Sequence, residues 1–444
     1  MALQENLGRP SSIVQRMREL NIPGLSTAVI DAGKVAWARG YGLSDTVEKT
    51  AVDPQTLFQA GSISKPIAAL GALRLIAEGK LTLDEDVNTR LRTWHVPEND
   101  FTKDDKVTLR RLMSHTAGLT VHGFPGYAVG SQIPTVVQVL DGTPPANTAA
   151  VRVDVRPGST YRYSGGGYTV MQLLIADVSG QPFESYMQSR VLDVLGMKSS
   201  TYSQDLPAAL ASRMASAHHS DGNRIPGKRH IYPEMAAAGL WTTPRDLAQY
   251  LLYVQAAVRG TPGPLLNAAL TKELVTRQNG GEHGLGPTVS GEGGSARFGH
   301  GGVDEGFDAH MLGYVSQGKG VVIMANANFA RSLFDEITAS VARTYAWPDF
   351  PQKEQLVAER ISQSLLARVP GKYQLNPEIA AELRARDGRL FLGLPEGGSF
   401  EIFAKNGSEL FTPLLGPATF SVVESDGKVT ALRSSDGREF KRIE

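Results

Sequence analysis

The sequence predicts an α+β protein: a large domain with helices around an antiparallel sheet, followed by a small all-β domain. Two observations predict the large domain. Residues 25–45 form a hairpin pattern, with two β-rich runs around the turn Asp31-Ala32-Gly33, and alternating apolar and polar residues return at 296–327. A third observation, turn signals at roughly 8–12-residue spacing after Leu365, predicts the small domain as a sandwich or barrel.

The other elements of the large domain follow in chain order. Helical spacing of apolar residues over 12–21 predicts a first helix that ends at Pro23-Gly24. The apolar run after Ser62 predicts a buried helix, with Pro66 in its first turn. Helical stretches and Gly/Pro-rich connections alternate through about 100–270. A helix over about 331–345 completes a layout in which both chain ends contribute strands to one sheet.

A change of composition at 347–351, Trp-Pro-Asp-Phe-Pro, indicates a linker. The predicted boundaries are a large domain over 1–346, a linker over 347–364 and a small β-barrel domain over 365–444. The turn signals that predict the barrel are Pro370-Gly371, Asp387-Gly388, Gly397-Gly398, Asn406-Gly407, Asp426-Gly427 and Asp436-Gly437.

Composition narrows the function. The 444 residues contain no cysteine, which excludes disulfides, thiolate nucleophiles, Cys-ligated zinc and iron–sulfur clusters. A covalent nucleophile must therefore be Ser, Thr, Lys or a carboxylate. The 45 basic residues balance 45 acidic ones, so charge gives no reason to expect nucleic acid or a membrane as partner. A signal-peptide pattern and long apolar runs are both missing, which favours a cytoplasmic protein without a membrane span. The alternative is a secreted protein whose leader has been removed from the mature chain.

The sharpest local pattern is Ser62-Ile63-Ser64-Lys65 at the start of the buried helix. Residues three apart share one helix face, so the Lys65 ammonium comes within reach of the Ser62 hydroxyl. A serine hydroxyl needs a base to become a nucleophile, and a lysine with a lowered pKa can take part. The alternative is an N-cap serine beside a solvated lysine.

Two glycine-rich segments strengthen the catalytic interpretation. YRYSGGGY at 161–168 places Tyr163 before three glycines, where a backbone can approach a ligand closely. FGHGGVDEGF at 298–307 places His300 before Gly301 and Gly302, which would leave main-chain donors open to a substrate. Taken singly, a glycine run is usually a turn and a strand histidine is usually structural.

In this order, the three segments resemble the motifs of the serine β-lactamase and penicillin-binding-protein superfamily, in the branch of class C β-lactamases, D-aminopeptidases and family VIII esterases. That family carries Ser-x-x-Lys, Tyr-x-Asn, and Lys-Thr-Gly or His-x-Gly. RRLMSHTAGL (110–119), VLGMKSSTY (194–202) and AAAGLWTTPRDLAQYL (236–251) are similar to its usual landmarks. The resemblance covers about 10–345, and the tail resembles the lipocalin-like β-domain that some members append.

The resemblance implies a role for each matching residue. Ser62 would be the acylated nucleophile, Lys65 would help to deprotonate it, and Tyr163 would be the base for Ser62 and later for the deacylating water. His300 would take the third-motif role. The N–H groups of Ser62 and Val303 would form the oxyanion hole. Tyr163 can act as a base near neutral pH only if cations stabilise its phenolate, and Lys65 and a protonated His300 are the candidates.

One position departs from the family pattern. Gly165 stands where the second motif has Asn, so a side-chain amide that would hold the lysine and the substrate is missing. Our hypothesis is that Gly165 opens the pocket to a bulkier acyl group. Together with histidine in the third motif, this fits an esterase, amidase or acyl-transfer enzyme better than a dedicated β-lactamase.

Other residues carry weaker signals. Tyr127 and Trp241 are candidates for lining the pocket, with core packing as the alternative. His218, His219 and His230 lack the spacing of a zinc site, and we expect no metal. Nucleotide-binding glycine motifs are missing as well, so we expect no cofactor.

The sequence therefore predicts a serine hydrolase that acts on a small-molecule ester or amide through a Ser62 acyl-enzyme, with weak β-lactamase or D-aminopeptidase activity as a possible side reaction. Two alternatives stay open. A transacylase would pass the acyl group to an amine or alcohol in a biosynthetic pathway. A penicillin-binding sensor would be acylated without turnover.

Overall fold

A computed structural model describes residues 2–4, 10–261, 263–350, 361–375, 380–386, 388–393, 399–405, 409–412 and 419–443. Its contacts divide the chain into two compact units. One unit comprises Ile22–Asn328 and Trp347–Asp349, and the other comprises Met1–Asn21, Phe329–Ala346 and Phe350–Glu444. The predicted boundaries at 346 and 365 group the chain differently and stay a prediction.

The first unit is built on a seven-stranded antiparallel sheet, which confirms the predicted α+β class. Its strands, in chain order, are β1 (Gly24–Asp31), β2 (Lys34–Asp45), β3 (Thr50–Ala51), β4 (Thr288–Ser290), β5 (Arg297–Asp304), β6 (Phe307–Tyr314) and β7 (Gly320–Ala325). Their order across the sheet is β4-β5-β6-β7-β1-β2-β3. Both predicted strand regions are present, and β7 pairs with β1, so distant parts of the chain share one sheet.

Three long helices position the site. Helix α1 (Ser64–Ala77) is buried along most of its length, because its sequence is apolar on every face. Helix α2 (Gly165–Ser179) begins at the glycine run, with Ser164 as its N-cap. Helix α3 (Pro244–Val258) is capped by Thr243 and packs against β1 and β7.

The remaining described helices and short strands are distributed over both units. The helices are Ile13–Glu19, Leu109–Met113, Val136–Asp141, Phe183–Met187, Ala208–Ala211, Met235–Ala238, Ala268–Leu274, Arg331–Thr344 and Gln363–Arg368, with shorter helical turns at Gly61–Ile63, Val87–Thr89, Gln188–Leu192, Pro226–Lys228 and Gly293–Ser295. Two-stranded pairs join Ala2–Gln4 to Pro10–Ser12, Phe58–Gln59 to Trp241–Thr242, and Tyr127–Ala128 to His230–Ile231. Among the described helices, none is long and apolar enough to cross a bilayer.

The second unit contains a nearly closed eight-stranded antiparallel barrel, as predicted, and this barrel fits a lipocalin-like domain. Its strands are β8 (Gly371–Gln374), β9 (Ala380–Arg386), β10 (Arg389–Gly393), β11 (Ser399–Ala404), β12 (Glu409–Phe411), β13 (Thr419–Ser425), β14 (Lys428–Ser434) and β15 (Glu439–Lys441). The Ile443 N–H donates to Lys372 O at 2.8 Å, which brings the last strand back to the first.

The turns of the barrel are only partly described. Asp426-Gly427 has positive φ angles of 52° and 72° and joins β13 to β14 as predicted. Asp387, Gly397-Gly398 and Asn406-Gly407 lie outside the described residues, as does 351–360 of the predicted linker.

Candidate active site

Ser62 lies in the helical turn Gly61–Ile63 that runs directly into α1. On both sides, the turn is hydrogen-bonded to the segment after the short helix Met235–Ala238. The Ala60 N–H donates to Leu240 O at 2.9 Å, and the Leu240 N–H donates to the Ser64 hydroxyl at 2.9 Å. Ser62 itself is partly exposed. These bonds hold a serine hydroxyl at the surface of an otherwise buried segment.

Lys65 lies one helical turn after Ser62 and only 2% of it is exposed. Its Nζ lies 2.9 Å from Ser62 Oγ and donates to Ala237 O at 2.8 Å. Burial lowers the pKa of Lys65 to about 7, against an opposing effect of Asp304. A large fraction of Lys65 is therefore neutral near neutral pH and can accept a proton from Ser62.

Tyr163 completes the group. Its phenol hydrogen-bonds with Ser62, and Lys65 Nζ lies 5.0 Å from its ring centroid. Burial raises the pKa of Tyr163 to about 12, although the bond from Ser62 opposes the shift. The phenolate that the sequence analysis required is therefore unfavourable. The structure favours a protonated Tyr163 beside a neutral Lys65.

His115 fixes the position of Tyr163. The two rings stack with centroids 4.1 Å apart and planes 28° apart. The Ser164 N–H donates to His115 Nδ1 at 3.1 Å, which anchors the N-cap of α2 to the same imidazole. His115 therefore holds both the Tyr163 ring and the start of α2 in place.

His300 belongs to a buried cluster with His115 and His283, whose ring nitrogens lie within 4.8 Å of one another. Burial lowers the pKa of His283 to about 4 and that of His300 to about 3, and neighbouring positive charge adds to both shifts. All three imidazoles are therefore neutral at physiological pH. His300 does not supply the cation that the sequence analysis considered.

The donor set of this cluster does not fit a metal ion. Because His115 Nδ1 accepts the Ser164 N–H, the proton of the neutral ring lies on Nε2, which is buried and has no hydrogen-bond partner among the described residues. A metal at that nitrogen would require an imidazolate, whereas ligating histidines normally donate through their other nitrogen. His300 has the usual arrangement, since its Nδ1–H donates to Gly301 O, but His115 does not.

Strand β5 approaches the Ser62 turn at backbone distance. A Cβ placed on Gly302 would lie 1.9 Å from Ala60 O and 3.2 Å from Ser62 N, and one on Gly61 would lie 2.4 Å from Val303 N. Only glycines permit this approach. It places Ser62 N beside Gly302 and Val303 N beside Gly61, so the two nitrogens predicted for an oxyanion hole lie on adjoining backbone segments.

Two acids lie buried behind these groups, and sequence reasoning missed both. Asp304 Oδ2 accepts the Gly61 N–H at 3.1 Å, and burial raises its pKa well above the usual range. Glu234 is completely buried, and its carboxylate oxygens have no side-chain partner among the described residues. Burial raises its pKa to about 7, although its own backbone N–H opposes the shift. Their positions, next to Val303 and before the Met235–Ala238 helix, carry no motif that would have revealed them.

Two predicted pocket residues lie in the core instead. Trp241 is fully buried and packs edge-to-face on Phe307, with ring centroids 5.8 Å apart. Tyr127 is 5% exposed, and its hydroxyl accepts the Asn147 N–H at 3.1 Å. For both residues the core alternative is the one that the structure supports.

Gly165 does not open a space. A Cβ at this position would lie 2.9 Å from Cε2 of Phe124 and 3.1 Å from His122 O. The Phe124 ring occupies the room into which the side chain of an asparagine would extend if it replaced this glycine. The expectation of an enlarged pocket at Gly165 is therefore wrong, and sequence reasoning missed Phe124 because it lies 41 residues away in a loop.

The family landmarks contact this site. In the first landmark, 110–119, His115 accepts a hydrogen bond from the backbone next to Tyr163. In the third, 236–251, Ala237 O accepts a hydrogen bond from Lys65. In the second landmark, 194–202, the Tyr202 hydroxyl donates to Ser64 O at 2.7 Å. Each landmark thus supports a different part of the Ser62–Lys65–Tyr163 group.

Comparison with known proteins gives consistent results. The family model described as Beta-lactamase matches residues 11–345. Protein flp of Staphylococcus aureus (strain MW2) is 26% identical over 324 residues, which cover 69% of this chain and 60% of that protein. The chain thus spans less than two thirds of the length of this relative.

Two solved structures share the fold. The octameric penicillin-binding protein homologue from Pyrococcus abyssi has a TM-score of 0.63 at 20% identity, over 96% of this chain and 97% of that chain. The D-amino acid amidase from Ochrobactrum anthropi SV3, complexed with L-phenylalanine, has a TM-score of 0.61 at 20% identity, over 75% of this chain and 98% of that chain.

Proposed function

The chain belongs to the Beta-lactamase family, and we propose that it is a serine hydrolase that cleaves a small ester or amide through an acyl-enzyme on Ser62. The contact of 2.9 Å between Lys65 Nζ and Ser62 Oγ, made by a lysine whose pKa burial lowers to about 7, carries this proposal. Such a lysine is a base matched to neutral pH. The family is one of serine hydrolases, which agrees with this chemistry.

In acylation, neutral Lys65 takes the proton of the Ser62 hydroxyl while Oγ attacks the substrate carbonyl carbon. The negative charge that develops on the carbonyl oxygen is stabilised by the N–H groups of Ser62 and Val303. The carbonyl then re-forms and the bond to the leaving group breaks. Tyr163 donates its phenolic proton to the leaving group and receives the proton held by Lys65.

In deacylation, a water molecule takes the place of the leaving group, gives its proton to neutral Lys65 and attacks the acyl carbon. Ser62 leaves with the proton returned from Lys65, and the free acid is released. The resemblance implied Tyr163 as the base with help from Lys65. Here Lys65 alone is the base and Tyr163 is a proton donor, because the pKa shifts favour those roles. Neutral His300 offers a hydrogen-bond acceptor, which can orient a donor group on the substrate.

Intact-mass spectrometry tests the proposal. The protein is incubated with an activated ester, p-nitrophenyl butyrate, or with a β-lactam, and its mass is followed over time. We expect a transient acyl adduct that maps to the peptide containing Ser62 and is missing in Ser62→Ala. A permanent adduct with every substrate would indicate a sensor instead, and no adduct with any substrate would refute a serine nucleophile.

Product analysis distinguishes hydrolysis from transfer. The same ester is turned over with and without an added primary amine or alcohol, and the acyl products are separated. Free acid as the main product in both reactions supports the hydrolase. Acylated acceptor as the main product would support the transacylase.

A further inference from the structure

We propose that Phe124 determines substrate specificity: it presents an aromatic wall where the second motif of the family presents an amide, so that the site selects apolar or aromatic acyl groups. This inference rests on the proposed Ser62 acyl-enzyme and adds the class of acyl group to it. Four features of the described residues carry it.

The first feature is how firmly the Phe124 loop is attached to the start of α2. The Gly165 N–H donates to His122 O at 2.9 Å, and the Gly166 N–H donates to Val121 O at 3.1 Å. The Ser164 hydroxyl donates to Thr120 O at 2.8 Å. The loop carbonyls thus satisfy helix N–H groups that have no acceptor inside the helix.

The second feature is the conformation of that loop. Val121 has a φ of 62°, in the left-handed region that β-branched residues avoid. Such strain persists only where the surroundings enforce it, and here the bonds to α2 do so. The loop is therefore held in one conformation, and the position of Phe124 follows from it.

The third feature is the fit between the glycines and the loop. A Cβ on Gly165 would meet the Phe124 ring at 2.9 Å, and one on Gly166 would meet Thr120 O at 2.8 Å. Glycine at both positions lets the loop lie against the helix. Phe124 and Gly165 thus form a matched pair, in which the ring takes the space that the family gives to the Asn side chain.

The fourth feature is the exposure of the ring and its neighbours. Phe124 is only partly buried, two residues from the exposed His122, whose ring centroid lies 4.8 Å from that of Tyr163. Tyr161 is 37% exposed on the other side of Tyr163 in sequence. The surface around the reacting group is therefore rich in aromatic rings.

These features determine which acyl groups bind favourably at the site. An apolar or aromatic side chain buries surface against the Phe124 ring. A polar side chain loses its hydrogen bonds to water there, and a phenyl ring offers it no equivalent. Discrimination by a single apolar contact is worth roughly tenfold or more in kcat/KM.

The experiment compares two p-nitrophenyl esters, the phenylacetate and the methoxyacetate. The measured quantity is the ratio of their kcat/KM values, and comparing it between variants cancels their different intrinsic reactivities. We expect Phe124→Ala to lower the phenylacetate preference by about tenfold. Phe124→Leu keeps an apolar side chain, so its ratio should stay within about threefold of wild type. Phe101→Ala, which truncates a surface phenylalanine that is 45% exposed, is the matched control and should leave the ratio unchanged.

A second measurement tests the matched pair directly. Gly165→Asn alone should lose activity on both esters, because its Cβ meets the Phe124 ring. The double variant Gly165→Asn/Phe124→Ala should regain activity and shift its preference towards the methoxyacetate. This rescue would not occur if Gly165 were glycine only for backbone reasons.

The outcomes separate the two proposals. An unchanged ratio in Phe124→Ala, with Ser62 still acylated, overturns the specificity role and leaves the hydrolase standing. Failure of the wild-type protein to form an acyl-enzyme with either ester overturns both. If Phe124→Ala does not fold, two other results can overturn the specificity role. One is a tenfold fall of the phenylacetate to methoxyacetate ratio of kcat/KM in Phe124→Leu. The other is normal activity in Gly165→Asn.

Discussion

At the scale of single residues, burial decides the chemistry of the site. Lys65 and Tyr163 both lie in a poorly solvated environment, which disfavours the charged form of each. For the lysine this produces a neutral amine at neutral pH, and for the tyrosine it preserves the phenol. The same physical effect therefore suits Lys65 to the proposed role of base and Tyr163 to the proposed role of proton donor.

The pH dependence of the reaction follows from Lys65. Because its pKa is lowered to about 7, the neutral base becomes populated as pH rises through that value. We expect kcat/KM for an activated ester to increase from pH 5 to 9 with a midpoint near 7, as measured in a pH-rate profile corrected for spontaneous hydrolysis.

Lys65→Arg provides the comparison for this profile. The guanidinium keeps its proton, so the variant should lose roughly a hundredfold to ten-thousandfold of the activity at every pH. A wild-type profile without a limb near pH 7, or an active Lys65→Arg, would contradict the assignment of the base.

At the scale of elements, the site depends on the approach of β5 to the Ser62 turn. Gly302→Ala should lower kcat by roughly a hundredfold or more, because the new methyl group collides with Ala60 O and displaces the Val303 N–H from the proposed oxyanion hole. Ester hydrolysis and circular dichroism together measure this effect. Gly294→Ala, whose Cβ would meet only Gln317 Nε2 at 3.5 Å, is the control and should keep normal kcat. Equal losses in both variants would show a general effect on the fold.

Elements that local pattern specifies were predicted well. The hairpin around Ala32-Gly33, the buried helix after Ser62 and the strands of 297–325 all appear where the sequence placed them. Each is fixed by its own periodicity and turn residues. Phe124 and Asp304 could not be predicted in this way, because their roles depend on contacts with distant segments. The local sequence around Trp241 would be the same whether this residue lined a pocket or packed in the core.

At the scale of the whole molecule, the fold is joined by contacts between distant parts of the chain. Strand β1 pairs with β7 about 295 residues later, and Thr27 Oγ1 donates to Val322 O at 2.9 Å across that pair. The strand patterns at 25–45 and 296–327 predicted that both chain ends contribute to one sheet. The depth of burial that this sheet and α1 create was not visible in the sequence, and it is this burial that shifts the pKa values of the site.

That burial costs stability, and Glu234 makes the cost measurable. Its pKa is raised from 4.5 to about 7, so between these pH values the folded state binds more protons than the unfolded state. Stability from this group therefore falls as pH rises through the window, because an unpartnered carboxylate must ionise in the core. Glu234→Gln cannot ionise, so its stability relative to wild type should improve by roughly 2 to 3 kcal/mol from pH 5 to pH 8.

Denaturant unfolding of both proteins at the two pH values measures this change, and any constant cost of packing the amide cancels in the difference. Glu98→Gln is the control, since Glu98 is 72% exposed in a surface ion pair with Lys106 and its replacement should alter the pH dependence little. Parallel pH dependence in wild type and Glu234→Gln would contradict a buried carboxyl group. A selective gain at pH 8 would show that the protein retains, near Asp304, a buried acid that its fold alone would not favour.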